Sequence, residues 1–254
     1  MKKFDYFSVR ESIRLISICF PLFFFTKDTN IFSINWVLIL LILGNIRRLN
    51  KTNKFYYFCR IIGYFLPYLI IGIIFHKYCI INITLDFTYS IILALVIGII
   101  YIFINIKEFN FLLSNMVIQE SLYHDKLYYF LQIINRIGAS ISEELFFRYY
   151  LISIYFRYGY ISIFISSIYF VLGHFLLPWG NSFKLKDYIN QLVIGFLSSL
   201  LYYFSNNIIG SIILHLIINF PDVIYLIKSF LRHHIHSGHY ENLVEEDIFD
   251  SIDI

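Results

Sequence analysis

The sequence predicts an all-α membrane protein, a polytopic transmembrane helical bundle of about eight helices. Of its 254 residues, 59% are hydrophobic and 15% are charged, too little charge to cover the surface of a soluble domain of this length. Apolar runs recur from about residue 15 to residue 227, so lipid is the expected surrounding of most of the chain. The mean hydropathy of +0.70 agrees with this class.

The apolar runs predict helical segments at residues 12–26, 31–46, 58–75, 87–105, 129–157, 160–177, 189–204 and 208–230. The first segment is expected to be an uncleaved span, because TKDTN follows it without a small-residue cleavage pattern. The stretch EFNFLLSNMVIQESLYHDK mixes apolar and charged residues, which is typical of an amphipathic elbow at the membrane interface. The chain thus divides into N-terminal helices with the elbow (1–126), a core of late helices (127–231) and a tail (232–254).

Basic residues predict the orientation in a cell membrane. They are concentrated before the first segment and in the second connection, at Lys2, Lys3, Arg10, Arg14, Arg47, Arg48, Lys51, Lys54 and Arg60. The alternate connections hold only Lys27 and Lys77, so the N-terminus is expected in the cytoplasm. An even number of spans returns the C-terminus to the same side. The formal net charge of +3 is small and the basic residues cluster near helix ends, which argues against a nucleic-acid partner.

Cysteine and histidine patterns outside the late helices indicate no metal or disulfide site. Cys19, Cys59 and Cys79 occur singly, without CxxC spacing. The C-terminal histidines His233, His234, His236 and His239 are interpreted as interfacial residues of a solvated cytoplasmic tail. The acidic end that follows them has the composition of a disordered segment.

The stretch SEELFFRYY places two carboxylates and a guanidinium inside an apolar run. A charge at the bilayer centre costs about 2.5–3.5 kcal/mol, so such residues are seldom accidental. Glu144 and Arg148 are four residues apart with the acid first, the favourable order for an ion pair on one helix face. Glu143 lies about 100° away around the helix and lacks that partner. We interpret Glu144 with Arg148 as a structural clamp and Glu143 as the carboxylate available for chemistry, although all three could form one structural network.

Two later helices carry further polar pairs. Phe170 and His174 are four residues apart and share one helix face, and so do His215 and Asn219. Each pair alone would suit hydrogen bonding between helices. Hydrogen bonding between helices explains the combination of all these residues less well, because three neighbouring helices supply groups that can accept protons or donate to an oxyanion.

These residues form three ordered motifs, EELFFR as EExxxR, FVLGH as FxxxH and HLIIN as HxxxN. In that order they resemble the CPBP family of intramembrane proteases, which includes the Rce1-type CAAX prenyl endopeptidases and the bacterial Abi proteins linked to bacteriocin self-immunity. The flanks agree as well, including Gly195, and the resemblance covers roughly residues 127–225. Tyr149 departs from the pattern, since many members have Gly after the Arg.

The resemblance implies an eight-helix intramembrane endopeptidase with a water-filled cavity among its late helices, acting on a membrane-associated or CAAX-like peptide. It assigns water activation to Glu143 and His174, and hydrogen bonding to the tetrahedral oxyanion to His215 and Asn219. One Glu and two His could instead ligate zinc, with a water in the fourth position. HExxH is absent, however, and a glutamate-activated water uses the same side chains without an ion, so we favour the metal-free account.

Two alternatives from other classes stay open at this point. The first is a membrane immunity or interaction protein that keeps the fold and binds a peptide without cutting it. The second is a proton-coupled transporter that uses Glu143 and His174 as a relay. A transporter predicts paired helix breaks in two halves of the chain, and none is apparent.

Overall fold

The computed structural model describes residues 6–24, 26–46, 49, 54–74, 85–176 and 184–236. Regular structure within these ranges is helical throughout, as the fold class predicts. The α-helices are α1 (Tyr6–Cys19), α2 (Lys27–Ile46), α3 (Lys54–Ile74), α4 (Leu85–Ile104), α5 (Ile106–Leu112), α6 (Asn115–Gln119), α7 (Lys126–Glu144), α8 (Leu151–Tyr155), α9 (Ile161–Leu176), α10 (Leu185–Ser205) and α11 (Ile208–Leu231). π-helical turns occupy Leu145–Tyr150 and Arg232–His236, and 3₁₀ turns occupy Phe20–Phe24 and Phe156–Tyr158.

Four helices of the described chain are long and apolar enough to cross a membrane, namely Lys27–Ile46, Lys54–Ile74, Phe87–Ile104 and Ile208–Ile235. The helix α9 is apolar but only 16 residues long. The helical membrane bundle is therefore confirmed, whereas the predicted count of eight spans is not. The first predicted span is divided between α1 and a 3₁₀ turn, and the predicted elbow consists of two short helices, α5 and α6.

The bundle is built around α7 and α11. The helix α11 packs against α4 and α7, α3 packs along α7, and α9 pairs with α10. Glycines allow these helices to approach each other closely. A Cβ on Gly72 would lie 2.8 Å from Leu145 Cβ, and one on Gly210 would lie 2.9 Å from the Ser90 carbonyl oxygen. These contacts fix how α3 and α11 sit against their neighbours.

An aromatic core joins the N-terminal helices to the late ones. Trp36 is fully buried and stacks against Phe146, with ring centroids 6.2 Å apart. Its indole Nε1 donates to Ser17 Oγ at 3.1 Å, and Tyr169 donates to the Ser17 carbonyl oxygen at 2.5 Å. Buried Trp and Tyr need such partners for their polar atoms. Ser17 thus links α1 to both α2 and α9.

Helical structure continues past residue 231, into the first residues of the predicted cytoplasmic tail (232–254). Arg232 Nη1 donates to the Ile118 carbonyl oxygen at 2.6 Å, and His233 Nε2 lies 3.0 Å from Ser121 Oγ. The first residues of the predicted tail are therefore packed against α6 and the segment after it. His239 and the acidic end lie outside the described residues, as does Cys79, while Cys19 and Cys59 are free thiols.

Candidate active site

The two adjacent glutamates lie where α7 passes into a π-helical turn. Glu143 and Glu144 are the last residues of α7, and the π turn Leu145–Tyr150 follows directly. Their exposed fractions are 3% and 0%. Single π turns inside helices recur at functional sites. Ser166 of α9 donates to the Phe147 carbonyl oxygen of this turn at 2.7 Å, which ties α9 to the altered backbone.

Glu144 is bonded on both sides. Arg148 Nε lies 3.2 Å from Glu144 Oε2, and both side chains are fully buried, so the pair predicted from their spacing is present. The other carboxylate oxygen, Oε1, lies 2.8 Å from His215 Nδ1. The carboxylate therefore connects the π turn of one helix to the imidazole of another, and it has little freedom to reach a substrate.

The guanidinium of Arg148 is held by groups from two more helices. Its Cζ lies 4.4 Å from the centroid of the Phe170 ring on α9, a cation–π arrangement. Its Nη2 donates to the Gly195 carbonyl oxygen on α10 at 3.3 Å. Arg148 thus contacts α7, α9 and α10 at once. Such contacts offset part of the cost of burying the charge.

Glu143 has different neighbours. Tyr64 of α3 donates its hydroxyl to Glu143 Oε1 at 2.9 Å. The second carboxylate oxygen, Oε2, lies 4.0 Å from His215 Nε2. His215 therefore stands between the two carboxylates, with Nδ1 toward Glu144 and Nε2 toward Glu143. Glu143 makes no ion pair with a Lys or Arg within the described part of the chain.

Phe170 joins the second motif to the third. Its ring centroid is 4.8 Å from that of His174 and 5.8 Å from that of His215. His174 Nδ1 lies 2.9 Å from the Phe170 carbonyl oxygen, which accepts a hydrogen bond from Nδ1–H, so in the neutral ring the lone pair is on Nε2. Arg148 of the π turn, His174 of the same helix α9 and His215 of α11 therefore all contact this one aromatic ring.

Asn219 lies one turn beyond His215 on α11. Its Nδ2 donates to Ser140 Oγ at 2.8 Å, and Ser140 in turn donates to the Arg136 carbonyl oxygen at 2.8 Å. The predicted pair His215 and Asn219 thus shares a helix face, but its two members contact successive levels of α7.

Several contributing residues are not identified by the motifs. Tyr64 is one of 22 tyrosines and has no local signal that distinguishes it. Ser140 lies four residues before Glu144, on the same face of α7, so helical spacing could have found it. Tyr149, the departure from the family pattern, is buried and packs with Ile152, Tyr202 and Ile208. It fills space between helices and leaves the polar cluster intact.

The donor set does not match a zinc site. Among the described residues no group of three or more His, Cys, Asp or Glu side chains could hold a metal ion in common. The residues present therefore do not fit the three-ligand zinc centre that the resemblance left open, and no step below uses a metal.

A cavity of about 360 Å³ lies elsewhere, between α4 and α10. Its lining is mostly apolar and includes Leu93, Ile97, Leu197 and Phe204. None of the residues that line it belongs to the three motifs. The water-filled cavity implied by the resemblance is therefore not this one and stays a prediction.

Gly195 offers a test of how tightly the cluster is packed. A Cβ at this position would lie 3.1 Å from Phe170 Cδ1 and 3.5 Å from Ser167, so Gly195→Ala should displace the ring that Arg148 stacks on. We expect a loss of about 1–3 kcal/mol of stability, measured by thermal unfolding of the purified protein.

Gly44→Ala is the matched control for that substitution. Nothing lies within 4 Å of a Cβ at Gly44, in α2, so the same change should stabilise its helix by up to about 1 kcal/mol. Equal shifts for the two variants would show that the space around Phe170 is not restrictive.

Comparison with known proteins agrees with the three motifs. Residues 126–221 match the family model described as type II CAAX prenyl endopeptidase Rce1-like. The match contains all three motifs, so the predicted family resemblance is confirmed. No curated protein and no solved structure matches the chain.

Proposed function

We propose, from the Rce1-like core and the geometry around Phe170, that the protein is an intramembrane endopeptidase that hydrolyses a peptide bond with a glutamate-activated water. A membrane protease is what the family match supports, and the mechanism is our own extension of it. The observation that carries the proposal is the asymmetry of the adjacent carboxylates. Glu144 is bound by Arg148 and His215, whereas Glu143 faces His215 Nε2 and a single tyrosine hydroxyl.

In this proposal Glu143 accepts the proton of the attacking water. General base catalysis of this kind contributes typically about 10²–10⁴-fold to a rate. His174 is the second group proposed to polarise the water. Its Nδ1 is occupied by the Phe170 carbonyl oxygen, so its Nε2 has the lone pair for accepting a proton.

His215 and Asn219 are proposed to stabilise the oxyanion. Because Nδ1 of His215 faces the Glu144 carboxylate, Nε2 donates a hydrogen bond only when the ring is an imidazolium. Fixed donors in a water-poor site stabilise developing negative charge more than they would in solution. Asn219 has a second amide proton beyond the one given to Ser140.

The orientation of the protein is also a proposal, supported by where its charges lie. Contacts between Lys54 and Asp125, Lys186 and Glu108, and Tyr129 and Phe230 bring the starts of α3, α7 and α10 together with the end of α11. Basic residues at this end include Arg10, Arg14, Lys54, Lys107, Lys126, Lys184, Lys186, Lys228 and Arg232, while Lys27 and Arg157 lie at the opposite one. By the positive-inside rule the first end is cytoplasmic, and it holds both termini of the described chain.

The test is cleavage by the purified protein in liposomes. A farnesylated peptide with a free C-terminus and its unprenylated counterpart serve as substrates, and mass spectrometry identifies the products. The proposal expects one defined cut that is lost with His174→Ala and retained with His124→Ala, since His124 lies outside the cluster. A protein that binds the peptide without cutting it would instead be an interaction or immunity protein, and the proposal would fail.

Tyr64→Phe probes the orientation of the general base. The substitution removes one hydrogen bond to a carboxylate, and we expect kcat/KM to fall about 10-fold. Tyr57→Phe is the matched control, because Tyr57 accepts from Gln132 between the same two helices at 2.7 Å but outside the cluster. Peptide cleavage rates for both variants check the prediction, and equal rates would show that Tyr64 does not act on Glu143.

A further inference from the structure

Tyr68 of α3 is buried beside the cluster of motif residues, and the proposed mechanism does not use it. Its exposed fraction is 2%, and its ring packs against Phe146 and Phe147 of the π turn, with centroids 5.2 and 5.5 Å apart. Its hydroxyl makes no hydrogen bond with any residue that the structure describes. Buried tyrosine hydroxyls usually have a hydrogen-bond partner, because burying an unbonded polar group costs free energy. The hydroxyl of Tyr68 therefore has unused capacity to donate a hydrogen bond.

Two neighbours place this hydroxyl between the first and second motifs. Tyr68 follows Tyr64 by four residues, so the two share one face of α3 and lie about 6 Å apart along it. Tyr64 donates to Glu143, and the charge of Glu143 also acts on the hydroxyl of Tyr68. On the other side, the Tyr68 hydroxyl lies 3.5 Å from where a Cβ on Gly173 would be, and Gly173 directly precedes His174. The hydroxyl is therefore adjacent to the backbone that carries His174 and one helical turn from the hydroxyl bound to Glu143.

Packing alone does not explain why this residue is a tyrosine. A phenylalanine would fill the same space with the same ring, and two of the rings that contact it are phenylalanines. Other tyrosines of the same aromatic core use their hydroxyls to join helices. Tyr150 accepts from Asn35 at 2.7 Å, and Tyr169 donates to the Ser17 carbonyl oxygen. The Tyr68 hydroxyl makes no such bond in the described chain, so it is placed to bond a molecule that enters the cluster.

We propose that the Tyr68 hydroxyl donates a hydrogen bond to the attacking water and so orients it toward the peptide bond. The inference rests on the proposed function, in which Glu143 and His174 accept from the two protons of that water. The water oxygen then has two lone pairs left for other partners. A bond from Tyr68 takes one of them and leaves the other to attack the carbonyl carbon.

The protons balance without any transfer from Tyr68. As the water oxygen bonds to the carbonyl carbon, one water proton passes to Glu143. When the bond between carbon and nitrogen breaks, Glu143 returns that proton to the amine that leaves. Tyr68 keeps its own proton throughout. Because it contacts the reacting water, it is a further catalytic residue, and it lies outside the range 126–221 that matches the family.

Tyr68→Phe tests the proposal, because it keeps the ring and removes only the hydroxyl. We expect kcat for cleavage of the farnesylated peptide in liposomes to fall about 10- to 100-fold, since a misdirected nucleophile lowers the rate of bond formation. KM should stay within about 2-fold of the wild-type value, because the lost bond is made to water and not to the peptide. The unfolding temperature should stay the same or rise, since no unbonded hydroxyl is then buried. Removing a hydroxyl with a structural role would instead lower it.

Tyr155→Phe is the matched control. Tyr155 belongs to the same aromatic core, and its buried hydroxyl also has no hydrogen bond in the described chain. Its ring partners are Phe24, Phe32 and Tyr158, which lie outside the cluster. This variant should cleave the peptide at the wild-type rate, with an equal or higher unfolding temperature.

The possible outcomes separate this inference from the proposed function. If Tyr68→Phe cleaves the peptide at the wild-type rate while Glu143→Gln does not, the inference is overturned and the proposed function is intact. A loss that lies mainly in KM assigns the hydroxyl to peptide binding and overturns the inference as well. So does a slower rate accompanied by a lower unfolding temperature, which indicates a structural role. Absence of cleavage by the wild-type protein overturns both.

Discussion

Glu143→Gln should lower kcat/KM for peptide cleavage by about 10²–10⁴-fold, the largest effect on activity expected from any single substitution in this protein. The amide has the shape of the carboxylate and can still accept the Tyr64 hydroxyl bond, so the packing around it should be kept. What it loses is the ability to take a proton from water. The measurement is the rate of peptide cleavage in liposomes, together with the unfolding temperature of the same preparation.

Glu120→Gln is the control for that experiment, since Glu120 is an exposed carboxylate at the end of α6. Its rate and unfolding temperature should both equal those of the wild-type protein. If Glu143→Gln cleaves the peptide at the wild-type rate, Glu143 is not the general base. His174 would then be the next residue to substitute.

Arg148→Met should cause the largest loss of stability, about 3–5 kcal/mol. The substitution leaves the Glu144 carboxylate fully buried with the His215 imidazole as its remaining hydrogen-bond partner, and it removes the contact over Phe170. Breaking a buried ion pair by removing one partner costs more than the pair contributes, because the other charge stays behind. The measurement is thermal unfolding in detergent, where a fall in the midpoint is expected.

Two further variants show whether the charge left behind is the cause. Arg157→Met replaces an exposed arginine that stacks on Tyr158, and its effect should stay within about 0.5 kcal/mol. Glu144→Gln combined with Arg148→Met removes both charges and should be more stable than Arg148→Met alone, a positive coupling in a double-mutant cycle. Absence of such coupling would mean that Arg148 acts through packing.

The sequence predicts the ion pair of the candidate site, which is present, and a count of eight spans, which is not confirmed. Glu143, Glu144 and Arg148 stand out because charges in an apolar run need an explanation, and helical spacing pairs the last two correctly. Tyr64 could not be predicted, because its selection depends on how α3 packs along α7. The predicted count of eight spans, which is not confirmed, also depends on packing. Helices that neighbouring helices cover need not be uniformly apolar, so hydropathy alone does not separate them from interfacial segments.

The ion pair of Arg136 Nη2 on α7 with Asp222 Oδ2 on α11, at 3.3 Å, also lay beyond sequence reasoning. The two residues are 86 positions apart, and nothing in the local sequence distinguishes either of them from an ordinary surface charge. Only the antiparallel packing of α7 and α11 brings them to one level. Because α7 and α11 are antiparallel, the third motif runs toward the basic end of the bundle, from the buried His215 to Asn219, whereas the first motif runs away from it.

The π turn Leu145–Tyr150 makes this segment tolerant of a change in chain length. A π turn closes its hydrogen bonds over five residues instead of four, so it contains one residue more than an α turn would. Deleting a single residue there would restore ordinary α-helical bonding and leave the later side chains near their present orientation relative to Glu143. The same deletion in an uninterrupted α-helix would rotate every later side chain by about 100°. A difference of one residue can therefore be absorbed in this segment.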